Sequence, residues 1–123
     1  QIHGICVGGG LEIASLCDLR IAGASSRFGA PIKNLGLVMA YDEMAPLVRL
    51  VGASNALGLL LEGRIIDAQE ALRIGLVSRV VADEAVADEA RATAERIASG
   101  APMVARWHKA FARRLADPRP LSD

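Results

Sequence analysis

Gln1-Ile2-His3-Gly4-Ile5-Cys6-Val7-Gly8-Gly9-Gly10-Leu11-Glu12-Ile13-Ala14-Ser15-Leu16-Cys17-Asp18-Leu19-Arg20-Ile21-Ala22 opens the chain and decides how the rest is read. A short apolar run ends in three consecutive glycines, a carboxylate follows two residues later, and a second apolar run begins after Asp18. This predicts strand, tight turn, short helix, strand. Consecutive glycines let backbone approach a ligand closely, and the first amides of the following helix lack intrahelical partners. The turn is therefore a candidate anion or oxyanion site. Glycines also serve close packing, and a Glu in a first helical turn complements the helix dipole, so the local pattern alone leaves both uses open. Two nucleotide-binding loops are excluded by spacing. After Gly8 and Gly10 the dinucleotide fingerprint needs a third glycine where Ile13 stands; counted from Gly4, a phosphate loop needs Lys where Gly10 stands.

Working outward, the 123 residues suffice for one domain, and 52% of them are hydrophobic with only 3% aromatic, a core-forming composition. Fourteen basic and fourteen acidic side chains cancel, so no field of one sign points to nucleic acid or a membrane surface. The expected partners are a small molecule and other subunits. Cys6 and Cys17 fall in apolar segments and are expected to be buried, reduced thiols of a cytoplasmic protein, a disulfide being the alternative; no signal peptide and no bilayer-spanning run is read. The opening strand has no preceding partner, so a piece of a longer protein is expected.

Further along, Leu19 to Ala22 reads as a strand, 23–26 as a turn and Arg27-Phe28-Gly29 as a short extended piece, with Pro31 blocking a helix beyond it. The segment 32–41 carries no clean period. Asp42 is placed as the N-cap of a helix covering Met44 to Val51. Gly52 and Ser54 separate that helix from another through Leu57, Leu60 and Leu61, which Gly63 closes in a left-handed cap. Asp67 with Glu70 forms a capping box for a helix ending at Gly75. Val77 to Val81 returns to strand, a charged, Ala-rich helix runs from Asp83 or Glu84 to Ser99, and a last helix carries Val104, Trp107, His108 and Phe111.

Residues 2–22 resemble, nearly position by position, the signature of the enoyl-CoA hydratase/isomerase (crotonase) family: a small-residue strand, Gly-Gly-Gly, a hydrophobe, Glu, an apolar helix, then Cys-Asp-Leu-Arg-Ile-Ala. Phe28-Gly29-Ala30-Pro31, Asn34-Leu35-Gly36, 47–52, 61–68 and 70–77 resemble its later landmarks. The resemblance implies an α/β fold of the ClpP/crotonase type, a spiral of ββα units followed by helices. Residues 1–123 would form a partial crotonase domain: a strand-turn-helix core at 1–22, core and linking helices at 23–82 and C-terminal helices at 83–116. It further implies an acyl-CoA thioester as substrate, no cofactor beyond that coenzyme A, no metal, and a homotrimer or hexamer. The CoA pocket and one oxyanion amide would come from chain preceding residue 1. The end of the acyl pocket and the trimer contacts would come from chain beyond residue 123.

Carried over residue by residue, the resemblance makes the Gly9 amide an oxyanion donor, with Gly8 beside the substrate, and makes Glu12 a catalytic acid/base. Ile32 stands where a hydratase has its second catalytic glutamate, and isoleucine can neither carry a proton nor hold water. The Pro-Gly-x-Gly-Gly stretch of the family is replaced by Met39-Ala40-Tyr41-Asp42-Glu43. Three readings follow: a one-base lyase or isomerase using Glu12; relocation of the lost function to Tyr41, Asp42 or Glu43, as in decarboxylases of this family, although their tyrosine aligns with Met39; or a non-catalytic acyl-CoA-binding or assembly piece. Ile32 and Met39 are candidate substrate contacts. Lys33, Arg49 and Arg64 are weaker candidates for CoA phosphates, and His3 and His108 read as structural.

Overall fold

A computed structural model describes residues 1–121. The chain divides into two compact units, 1–90 and 91–123, with the boundary inside one helix. The first unit contains β1 (Ile5–Val7), α1 (Gly9–Ser15), β2 (Ile21–Gly23), β3 (Arg27–Gly29), a 3-10 turn (Pro31–Leu35), α2 (Tyr41–Glu62), β4 (Ile66–Asp67), α3 (Ala68–Arg73) and β5 (Arg79–Val81). A second 3-10 turn, Asp83–Ala85, leads into α4 (Val86–Ala98), and α5 (Pro102–Leu115) follows in the second unit.

The strands form two small sheets. One has the order β1-β3-β4, with β1 parallel and β4 antiparallel to β3; the other pairs β2 with β5 in parallel. The opening run was expected as one strand from Ile2 to Val7, but it serves both sheets. Ile2 bridges to Ala22 beside β2, whereas Ile5, Cys6 and Val7 pair with Arg27, Phe28 and Gly29. Gly4, at φ 64°, makes the bend between them, a backbone state that glycine adopts without steric cost. Consecutive strands β1, β2 and β3 thus alternate between sheets.

Between the sheets and the helices lies one core containing Leu11 of α1, Phe28 of β3, Leu47, Val51, Ala56 and Leu59 of α2, Ile66 of β4, and Leu76 and Val77 ahead of β5. Tyr41–Glu62 spans 22 residues and, contrary to expectation, is long and apolar enough to cross a bilayer by length and composition. Gly52, at φ 79° and ψ 163°, interrupts its helical backbone where a break was expected, and Pro46, Leu47, Val51, Ala56 and Leu59 are buried. Gly63 closes α2 at φ 65°, and Asp67 caps α3 by accepting the Glu70 amide at 2.8 Å. The Glu70 carboxylate turns to Arg64 at 2.7 Å.

Three local expectations are corrected. Pro31 starts a 3-10 turn rather than blocking one, because at a first helical position its missing N–H has no intrahelical role. Asp42 does not cap α2: Ala40 is the N-cap residue. Cys17 is an exposed free thiol, since α1 ends at Ser15 and the following turn points outward, while Cys6 is buried and its pKa is raised by burial.

Asp83 joins the turn after β2 to the start of the α4 segment. Its carboxylate accepts the Ser25 amide at 3.0 Å. Hydrogen bonds from Ser25, aided by the nearby charge of His3, hold it below the usual carboxylate range. A group whose folded pKa is depressed contributes stability above its unfolded pKa of about 4 and loses it as pH falls through the folded value. Asp83→Ala is therefore expected to lower the melting temperature at pH 7, with the difference from the parent closing below about pH 4; a difference that persists unchanged at pH 3 refutes the charge-based tie. Gly29 carries the second constraint. A Cβ there would lie 2.6 Å from Ile65 Cδ1 and 2.9 Å from the Arg64 carbonyl oxygen, so β3 packs backbone against backbone on the chain leading to β4. Gly29→Ala should cost about 1–3 kcal/mol in denaturant titration; a loss below the measurement error would show that the approach is not tight.

Candidate functional site

β1 ends at Val7 and Gly8 turns the chain at φ 54° and ψ −124°, a conformation reserved for glycine. The turn is pinned to the neighbouring strand because the Gly8 amide donates to the Gly29 carbonyl at 3.0 Å. The first α-helical bond runs from the Glu12 amide to the Gly8 carbonyl at 3.1 Å, so the amides of Gly9, Gly10 and Leu11 precede it and have no intrahelical acceptor. A Cβ on Gly8, Gly9 or Gly10 would meet nothing within 4 Å beyond its own local backbone, and Gly9 and Gly10 are exposed. α1 is held from behind by Leu11, 1% exposed in the core, and by the Ser15 hydroxyl, which donates to the Leu11 carbonyl at 2.8 Å.

Glu12 is half-buried on the next position of α1. Of its apolar neighbours Leu11 alone is buried; Ile13 and Leu16 are exposed, because a helix of seven residues turns only one face to the core. β3 leaves its sheet at the same end as β1, since the two strands run parallel, and Ala30-Pro31-Ile32 follows directly from Gly29. Ile32 is half-buried and packs against the core that contains Leu11. The glycine turn and Ile32 thus depart from adjacent strand ends.

The segment after the 3-10 turn separates the remaining candidates. Met39 is buried in the core, Tyr41 is 94% exposed, and Asp42 is exposed at the first turn of α2. The Glu43 carboxylate accepts the Ala40 amide at 2.9 Å. Ala40 has no side-chain acceptor to return, so only half of a capping box is made. Among the described residues no hydrogen bond joins Tyr41, Asp42 or Glu43 to Glu12, and no group of three His, Cys, Asp or Glu side chains is placed to hold a metal. Of the weaker candidates, Lys33 lays its stem across the Gly63 cap of α2, and Arg64 pairs with Glu62 and Glu70. In the second unit, His108 lies with Val104, Trp107 and Phe111 around an open groove of about 340 Å³ on α5. The Gly29 carbonyl that pins the turn was not legible as a site feature, because a backbone acceptor carries no side-chain signal.

Comparison with known proteins identifies the family. The family model described as enoyl-CoA hydratase/isomerase matches residues 1–122. The chain is similar to (E)-benzylidenesuccinyl-CoA hydratase of Thauera aromatica, 47% identical over 102 residues, covering 83% of this chain and 40% of that protein. It is also similar to the short-chain-enoyl-CoA hydratase of Clostridium acetobutylicum, 41% identical over 108 residues, covering 88% of this chain and 41% of that protein. The crystal structure of an enoyl-CoA hydratase/carnithine racemase from Magnetospirillum magneticum superimposes with a TM-score of 0.94 at 55% identity over 98% of this chain and 45% of that one. The chain therefore spans about two fifths of the length of the curated relatives it matches. With the family model covering nearly every residue and the fold shared with a solved member, this chain belongs to the enoyl-CoA hydratase/isomerase family and has the crotonase fold.

Proposed function

We propose that this chain supplies one oxyanion donor and the acid/base of an enzyme that stabilises the enolate of an acyl-CoA thioester. The observation that carries the reading is the Gly8 turn, which leaves the Gly9 amide ahead of the first helical hydrogen bond on an open backbone face, with the Glu12 carboxylate less than one turn further along. An amide aimed where negative charge develops stabilises the transition state by about 3–4 kcal/mol. Gly9 occupies the first position of α1, where its N–H has no structural acceptor to satisfy.

Ile32 restricts the chemistry. Hydration by paired carboxylates needs a second group to hold and activate water, and an isoleucine packed against the core offers none. One carboxylate is sufficient for moving a double bond. Glu12 would take a proton from C2 of a 3-enoyl thioester, the electron pair would delocalise over the carbonyl and the C3–C4 bond, the Gly9 amide would hold the oxygen, and the same carboxyl would return the proton to C4. The product is the 2-enoyl thioester, with atoms and charge conserved and no cofactor beyond the coenzyme A of the substrate. Relatives whose names state hydration of short-chain or aromatic enoyl-CoA thioesters support the substrate class. Cytoplasmic location and a trimeric or hexameric assembly accompany this reading.

A second reading moves the proton-handling group to Tyr41 or Asp42; the near-complete exposure of Tyr41 favours it over Glu43, whose carboxylate is already engaged. The protein carrying this chain should be assayed on crotonyl-CoA, a 3-enoyl-CoA and methylmalonyl-CoA. Glu12→Gln is expected to lower kcat on the 3-enoyl substrate by about 10²–10⁴. Gly9→Pro removes the proposed donor at a helix position that tolerates proline and should lower kcat by about 10²–10³ with the fold retained. Full activity of Glu12→Gln together with loss in Tyr41→Phe would transfer the role to the loop, and absence of turnover on all three thioesters would defeat the enzyme reading.

A further inference from the structure

Arg20, 6% exposed, is a buried cation at the entry to β2. The four residues before it, 16–19, are all exposed, so the chain leaves the core after Ser15 of α1 and returns to it at Arg20. The Arg20 backbone is fixed beside the second sheet: its amide donates to the Ser78 hydroxyl at 3.0 Å, and its carbonyl accepts the Ser78 amide at 2.7 Å and the Arg79 amide at 3.3 Å. From that anchor the side chain reaches in two directions. Nε donates to the Leu76 carbonyl at 2.6 Å, and Nη1 donates to the Cys17 carbonyl in the turn that ends α1. Burying a guanidinium is costly unless its donors are paired, and here they are given to backbone. The turn they hold is wound onto the helix, since the Leu16 and Cys17 amides donate to the Ile13 and Ala14 carbonyls, both at 3.1 Å. Ile13 and Ala14 directly follow Glu12, so fewer than two helical turns separate Glu12 from the Arg20 contact. A helix of seven residues has little rigidity of its own, and contacts at its ends set its tilt. The Gly8 amide on the Gly29 carbonyl holds the start of α1, and Arg20 holds the other end.

We propose that Arg20 is a positioning residue: its guanidinium, holding the Cys17 and Leu76 carbonyls at once, sets the tilt of α1 and thereby the place of the Glu12 carboxylate. The inference rests on the enolate reading above and gives Arg20 no contact with substrate or with the migrating proton. A planar guanidinium presents its donors in fixed directions, so two carbonyls bound to it are held at a fixed separation. Lysine keeps the charge without that spacing, and glutamine keeps amide donors without the charge. Moving a proton between two carbons with one carboxylate depends more on position than binding does, because a displacement of about 1 Å can cost about 10²-fold in rate. A residue that only stabilises the fold makes no such distinction between rate and binding.

The test places Arg20→Lys and Arg20→Gln in the protein carrying this chain, alone and together with Glu12→Gln, and assays each on a 3-enoyl-CoA with circular dichroism as a check of folding. Either single Arg20 variant is expected to lower kcat about tenfold with KM within about twofold, and to speed hydrogen exchange at the Leu16 and Cys17 amides about tenfold. In the Glu12→Gln background the same substitutions are expected to change the residual kcat by less than about twofold, because a carboxylate already removed cannot be misplaced. Losses that multiply in that background overturn the proposal in favour of a general structural role. A raised KM at parental kcat overturns it in favour of a role in binding, and unchanged exchange at Leu16 and Cys17 shows that the turn is held without Arg20. If the lysine variant does not fold, the glutamine variant, which buries no charge, decides the same comparison. A parent that turns over no thioester defeats the enolate reading and this inference with it, whereas an active parent whose Arg20 variants keep parental kcat defeats this inference alone.

Discussion

The hydrogen bond from the Gly8 amide to the Gly29 carbonyl is the contact on which the candidate site depends. It is the last rung between β1 and β3, and it sits where one chain must turn sharply into α1 while the other runs on to Pro31. Because the strands are parallel, both chains leave at the same edge, and whatever follows each of them is brought together without any side chain having to specify it. The turn works only with glycine at position 8, whose φ is positive, and β3 packs against the Arg64–Ile65 backbone leading to β4 only with glycine at position 29. Gly8 thus shapes the turn ahead of the Gly9 amide, and Gly29 fixes the strand whose carbonyl pins that turn.

The core stabilises that geometry from behind. Leu11 enters it from α1, Met39 from the segment ahead of α2, and Ile32 packs against it from the 3-10 turn, so three pieces that flank the turn share one apolar cluster. Burying such side chains contributes about 1.5–3 kcal/mol each, far more than the exposed ion pairs of Arg64 can. The polar members are consequently free to be specialised: Glu12 half-buried, Glu43 committed to a backbone amide, Tyr41 and Asp42 in solvent. Ile32 also has a packing role, since its apolar side chain adds to the same cluster that holds α1.

Much of this was legible from residue order. Glycine triplets, the N-capping Asp67, the left-handed stop at Gly63 and the break at Gly52 are local backbone chemistry, and each fell where the pattern placed it. The errors were those in which a local rule met a tertiary demand. Ile2 to Val7 read as one strand because every residue favours extension, but two sheets compete for it and Gly4 divides it. Cys17 read as buried because it falls in an apolar segment, yet α1 is too short to turn a second face inward. Asp42 was the better N-cap by residue type, and Glu43 displaced it by reaching back to Ala40, where no capping side chain exists.

The sequence by itself determined the glycine turn, the Asp67 and Gly63 caps and the family, because these depend on φ preferences and hydrogen-bonding side chains that act over a few residues or are matched one by one. Only the tertiary structure decided which strand ends meet, which apolar residues stay in water and which carboxylate is spent on the backbone. Those outcomes follow from parallel pairing between segments about twenty residues apart and from the shared core, and nothing in a short window of sequence encodes either. Glu12 and Glu43 are chemically alike in the sequence; one is half-buried beside open glycine backbone and the other is tied to an amide, and the fold alone tells them apart.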